Sequence, residues 1–163
     1  IGTAIKFGRA AEAVVAEAAT SMRKLNKDAA EALAPLALQA CTDVTGFGLL
    51  GHASEMAAAS DVSLEIEAEA VPLLGGVLPL VDGNKSGGLS SNRAHFASGV
   101  VALSPLAESR LDIFYDPQTS GGLLVAVPEA LVAQATAALD SRGVFWARVG
   151  RATPRGEGLV TVR

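Results

Sequence analysis

Aromatic residues are scarce in this 163-residue chain: five Phe, one Tyr and one Trp. Alanine, leucine and valine must therefore build the core, within a composition that is 50% hydrophobic. Cysteine is scarcer still. Cys41 stands alone, so no disulfide forms within the chain and nothing signals secretion. The only histidines are His52 and His95, and His52 has no His or Glu partner at the spacing of a zinc site. An excess of basic charge is missing too, with 13 Lys and Arg against 17 Asp and Glu. That balance argues against a nucleic-acid partner, although a nucleotide chelated to Mg2+ needs only one or two local contacts. No apolar run continues for about 18 residues, so no membrane span is expected. The chain opens on Ile1 without a charged leader, which suggests a cytoplasmic protein whose upstream part is absent.

What the chain does have is enough length for one domain, burying roughly 70% of its unfolded surface. Apolar periodicity predicts a helix over Arg9–Leu25 and a second one capped by Asn26 and ended by Pro35. A short strand is expected at Ala40–Asp43, then a helix over Leu49–Ala59 with Leu49, Leu50, Ala53, Met56 and Ala57 on one side. Val62, Leu64 and Ile66 alternate with Ser63, Glu65 and Glu67, as in a half-exposed strand. Further helices are expected at Leu73–Val81, Arg93–Ser98, from Pro105, and at Glu129–Arg142. The remaining strands are read at Ile113–Tyr115, Gly122–Val127, Val144–Val149 and Leu159–Val162, the last two joined by a tight turn, TPRGEG. Asp82–Asn92 reads as loop. Helices interspersed with both alternating and continuous strands indicate an α/β (or α+β) domain, a mixed sheet covered by helices.

The most chemical segment is ACTDVTGFGLLGH, Ala40–His52. Asp43 offers one oxygen ligand suited to Mg2+ at a turn containing Thr42, Thr45, Gly46 and Gly48. The turn opens into a helix whose first N–H groups can face an anion, and its glycines can let backbone approach one. Helix capping by Asp43 and Thr45 explains the same spacing about equally well. One carboxylate seldom completes a Mg2+ site, so other ligands must come from elsewhere. Asp116–Gly122, DPQTSGG, reads first as a strand-entry turn, and Ser86–Arg93 as a solvated loop flanked by Lys85 and Arg93. Cys41 reads as a small core residue and His95 as a surface or packing residue.

ACTDVTGFGLLGHASEMAAAS, SGGLSSN and DPQTSGGLLVAVP follow one another in an order that closely resembles the C-terminal domain of selenophosphate synthetases (selenide, water dikinases). The resemblance covers essentially all of residues 1–163. IGTAI resembles an inter-domain segment that usually reads Gly-Thr-Gly, with Ala4 replacing the last glycine. It implies a three-layer α/β/α domain of the aminoimidazole ribonucleotide synthetase-like superfamily, paired in the intact enzyme with an N-terminal ATP-binding, dimerising domain. The implied reaction makes selenophosphate, AMP and phosphate from ATP, selenide and water in a cytoplasmic homodimer. By resemblance Asp43 is the metal-binding aspartate, while Thr42, Thr45, Gly46 and Gly48 shape the nucleotide's phosphate side. Ser86–Asn92 and Asp116–Gly122 become pocket-lining or structural loops. The reactive Cys or Sec, its lysine and further metal aspartates belong to the N-terminal half, so this chain is expected to be inert alone. The alternatives are a non-catalytic nucleotide-binding or assembly module, or another ATP-dependent kinase or synthetase of the superfamily.

Overall fold

The computed structural model describes residues 1–103 and 106–163. After a short helix α1 (Gly2–Lys6), α2 (Glu12–Arg23) and α3 (Lys27–Leu33) form the expected N-terminal helices. Pro35 takes the chain into a 3-10 turn as α3 ends. Strand β1 (Ala40–Asp43) follows, then α4 (Gly48–Ala59) and β2 (Val62–Ile66). Next come α5 (Gly87–Phe96), β3 (Val100–Ala102), α6 (Glu108–Tyr115) and β4 (Leu123–Ala126). Helix α7 (Val132–Ser141) and strands β5 (Gly150–Pro154) and β6 (Val160–Val162) complete the order.

The architecture is α/β, with a mixed four-stranded sheet in the order β3-β6-β2-β5 and an antiparallel pair β1-β4 beside it. Strand β6 runs parallel to both β2 and β3, whereas β5 is antiparallel to β2. Helix α4 packs on β2 and β6 and also meets α5 and α6. Its Leu50, Ala53 and Ala57 are fully enclosed, as are Val160 and Val162 of β6. Met56 is only half-buried. Phe114 and Tyr115 add the large aromatic volume that this sequence otherwise lacks.

Several local expectations are corrected. Leu73–Val81 is not a helix: Gly76 sits at φ 71°, and only Leu78–Leu80 makes a 3-10 turn. The Gly75 N–H instead bonds to Glu17 of α2 at 3.0 Å. Ile113–Tyr115 is the last turn of α6, because a three-residue apolar run carries no period of its own. The chain turns extended at Asp116, the residue before Pro117. The helix start expected at Pro105 lies outside the described residues. Gly87–Asn92, read as loop, belongs to α5, which Ser86 caps by accepting the Leu89 N–H at 3.0 Å. Val144–Val149 is not a strand; the ladder with β2 begins only where Gly150 meets Ile66. Beyond Ile66 one more bond forms, from Glu67 N–H to Val149 O, before the chain turns at Ala68–Ala70.

TPRGEG is likewise no hairpin, since β2 lies between β5 and β6. The connection crosses β2 and is held there by Ser63. Alternation placed this side chain outward, yet it is buried. Its hydroxyl donates to Gly158 O at 2.6 Å and accepts the Gly156 N–H at 2.9 Å. Ser63→Ala should therefore cost about 1–3 kcal/mol in urea denaturation, because two backbone groups lose their partner. A loss below about 0.5 kcal/mol would mean that the crossing is anchored elsewhere.

Candidate functional site

Strand β1 pairs with β4 so that Asp43 stands opposite Leu123. Side chains alternate across a strand, and here Cys41 and Asp43 are exposed while Ala40 and Thr42 are half-covered. Thr42 therefore projects to the other face of β1 from Asp43, and its hydroxyl donates to Asp43 O at 3.3 Å. The Asp43 carboxylate reaches solvent and has no hydrogen-bond or ion-pair partner among the described residues. Capping does not account for it. Helix α4 begins without a side-chain cap, and Phe47 occupies its N-cap position.

The turn after Asp43 is tied down carbonyl by carbonyl. Val44 N–H donates to Gly122 O at 2.9 Å. Thr45 O accepts from Gly48 N–H at 3.1 Å and from Gln118 N–H at 2.9 Å. Gly46 O accepts from the buried Asn92 side chain at 2.8 Å, and the same amide donates to Tyr115 O at 2.9 Å. The three sequence motifs thus form one knot. Asn92 links α5 to the Asp43 turn and to the end of α6, while Ser86 donates to Asp116 at 2.7 Å. Asn26, expected as a helix cap, occupies the cap position but sends its side chain to Gly121 O at 3.0 Å.

The glycines divide by what surrounds them. Gly46 is exposed with open space where a side chain would begin, so its backbone is free to meet a ligand. Gly48 is different: at φ 67°, a Cβ would sit 2.7 Å from Phe114 O and 2.9 Å from Asp116 O. Its glycine is demanded by protein backbone, as is that of Gly121 against Val44 O. The DPQTSGG loop is accordingly a structural buttress for the turn.

Cys41 is exposed, not part of the core. Partial desolvation pushes its thiol up from the ordinary range, and the nearby Asp43 charge pushes in the same direction. His52 is buried beside Thr45, with Nε2 3.2 Å from the Thr45 hydroxyl. His95 is exposed and stands edge-on to Phe96. Lys85 and Arg93 are not free cations on a loop. Both bind the buried Asp112 carboxylate, at 2.6 and 2.8 Å, and Arg93 also pairs with Glu108. Lys85 is raised above its usual value chiefly by its hydrogen bond to Asp112. Arg93 is raised chiefly by its bond to Glu108. Among the described residues no three His, Cys, Asp or Glu side chains come together as a metal cluster.

Sequence reasoning placed Asp43 at a strand exit but missed Asn26, Asn92 and Gln118 as the groups that hold its turn. Asn92 lay inside a quoted motif. Only its burial between two carbonyls separates it from a solvated loop residue. Asn92→Ala should lower stability by about 2–4 kcal/mol, because Gly46 O and Tyr115 O lose their shared donor. Hydrogen exchange should show the loss concentrated at Thr45–Gly48; uniform loosening would contradict the clamp. Alkylation of Cys41 by iodoacetamide should be slow at neutral pH and accelerate as pH rises past the usual thiol range. Asp43→Asn should speed it at fixed neutral pH by removing a charge that opposes the thiolate. An unchanged rate would separate the two side chains.

A family model described as AIR synthase related protein, C-terminal domain, matches residues 4–163. A selenide, water dikinase of Geobacter metallireducens is 44% identical over 163 residues, covering 99% of this chain and 47% of the relative. Relatives of the same name from Trichlorobacter lovleyi and Clostridioides difficile are 40% and 37% identical, each again with 47% of its length covered. The chain thus spans about half the length of the curated relatives it matches. It belongs to the family of AIR synthase related proteins, as their C-terminal domain.

Proposed function

We propose that this chain is the C-terminal domain of a selenophosphate synthetase that uses ATP, selenide and water. In this reading the intact protein is a cytoplasmic homodimer that yields selenophosphate, AMP and phosphate, and the chain alone is inactive. The names of the relatives support the activity. Among the described residues no helix is long and apolar enough to cross a membrane.

The observation that carries the role of this half is the unpartnered, solvent-facing Asp43 carboxylate beside the open backbone of Gly46. A hard oxygen donor with no internal partner fits one coordination position of Mg2+, an ion that keeps waters and shares substrate phosphates. Asp43 would hold the ion, which supplies neutralisation of charge on the phosphate chain when bound. Gly46 would let the backbone meet the phosphates, and Thr42, Thr45 and Gly48 would shape that side of the pocket. Thr42 does so through the strand, and Gly48 by fixing the turn against α6. No nucleophile is assigned to this chain. Cys41 is a bystander in this reading, its thiol held away from the thiolate form that attack would require.

In the intact protein, Asp43→Asn should reduce Mg·ATP turnover by about a hundredfold or more, since a neutral amide replaces a charged ligand. Thermal stability should change little, because the carboxylate has no internal partner. Near-normal turnover would end the assigned role. Calorimetry of Mg·ATP against this chain alone should give weak or undetectable heat, matching a single ligand; binding tighter than about 1 μM would show a complete site in this half.

A further inference from the structure

His52 lies near the start of α4 with polar groups at both ring nitrogens. Nε2 is 3.2 Å from Thr45 Oγ1, and Nδ1 is 3.6 Å from Glu55 Oε2 one turn along the helix. The ring itself is nine-tenths buried. Phe47 stacks against it with centroids 5.4 Å apart and a tilt of 38°, and Phe96 packs edge-on to Phe47 at 5.5 Å. Gly51 makes room for this, since a Cβ there would meet Phe96 at 2.7 Å. Phe47, itself backed by Phe96, thus lies against the imidazole.

A neutral imidazole carries one N–H and one lone pair, and neighbours decide which nitrogen holds the proton. At 3.6 Å Glu55 acts on Nδ1 through its negative charge and not through a formed hydrogen bond, and that charge favours the proton on Nδ1. Nε2 is then an acceptor, and its partner must donate. We infer that Glu55 and His52 act through Thr45: they commit its hydroxyl proton to Nε2 and leave its oxygen as an acceptor only. Such an oxygen takes a donor, such as a water bound to a divalent cation, and rejects a bare phosphate oxygen at that atom. Thr45 thereby shapes the phosphate side of the pocket through water held on the cation, not by donating to a phosphate oxygen. His52 and Glu55 are positioning residues, and the inference rests on the proposed metal role of Asp43. The geometry resembles a carboxylate–histidine pair orienting a ligand from behind, with a hydroxyl in the oriented place.

Nitrogen-15 NMR of this chain, recorded on the neutral imidazole, reads the tautomer directly. His95→Gln leaves His52 as the only imidazole signal. The expected result is a proton on Nδ1, with Glu55→Gln moving population toward the Nε2–H form. A dominant Nε2–H signal in the unmodified chain overturns the inference. In the intact protein, His52→Leu should raise KM for Mg·ATP about tenfold, the worth of one hydrogen bond, with a smaller fall in kcat. His52→Gln, whose amide carbonyl can accept from Thr45, should restore most of it. In a Thr45→Val background, His52→Leu should have no further effect, whereas additive losses would show that His52 does not act through Thr45. The outcomes separate cleanly from those at Asp43. Normal turnover of Asp43→Asn removes the cation from the site and leaves the Nδ1 proton standing; a crippled Asp43→Asn with the Nε2–H tautomer removes only the relay.

Discussion

Everything at this site depends on the satisfied carbonyls of one irregular turn. Between β1 and α4 the backbone follows no regular ladder, and each unpaired carbonyl there would carry a desolvation cost. Donors arrive from sequence positions far away: Gln118 for Thr45 O, and Asn92 for Gly46 O. The same neighbourhood returns the favour, since Val44 N–H satisfies Gly122 O and Asn26 satisfies Gly121 O. With Thr45 O and Gly46 O satisfied from elsewhere, the turn is held without any bond to the Asp43 carboxylate.

Charge is distributed to the same end. The cations nearest in sequence to the glycine-rich α5 start, Lys85 and Arg93, are neutralised by Asp112 and Glu108. They brace α5 against α6 and set the position of Asn92. Positive charge that a phosphate chain would need is therefore not offered by this pair. What remains beside the turn, among the described residues, is one unpartnered carboxylate, Asp43, and one open glycine, Gly46.

Much of this was legible in the residues. Strand β1 and helix α4 followed from apolar pattern and glycine punctuation, and the α/β class from their interspersion. Where reading failed, the missing information was tertiary. Gly87 and Gly88 look like loop, but Ser86 caps them into a helix and Pro117 packs where a Gly88 side chain would stand. Ser63 looks outward by alternation, but the β5–β6 connection crossing beyond it takes both of its hydrogen bonds. Phe145 and Trp146 look like strand residues, but β2 turns away before they could pair. Side-chain amides that reach across 46 or 95 residues leave no local trace at all.

The position of β6 has a consequence for how the molecule is made. This strand, last of the six among the described residues, is the one that joins β3 to β2 in the sheet. Until Val160–Val162 leave the ribosome, the earlier strands β2 and β3 have a gap between them that nothing else fills. Each has an unpaired edge until then, the state in which nascent chains meet chaperones or one another. Joining β2 to β3 thus waits on a strand that follows both of them in the sequence and sits between them as a keystone.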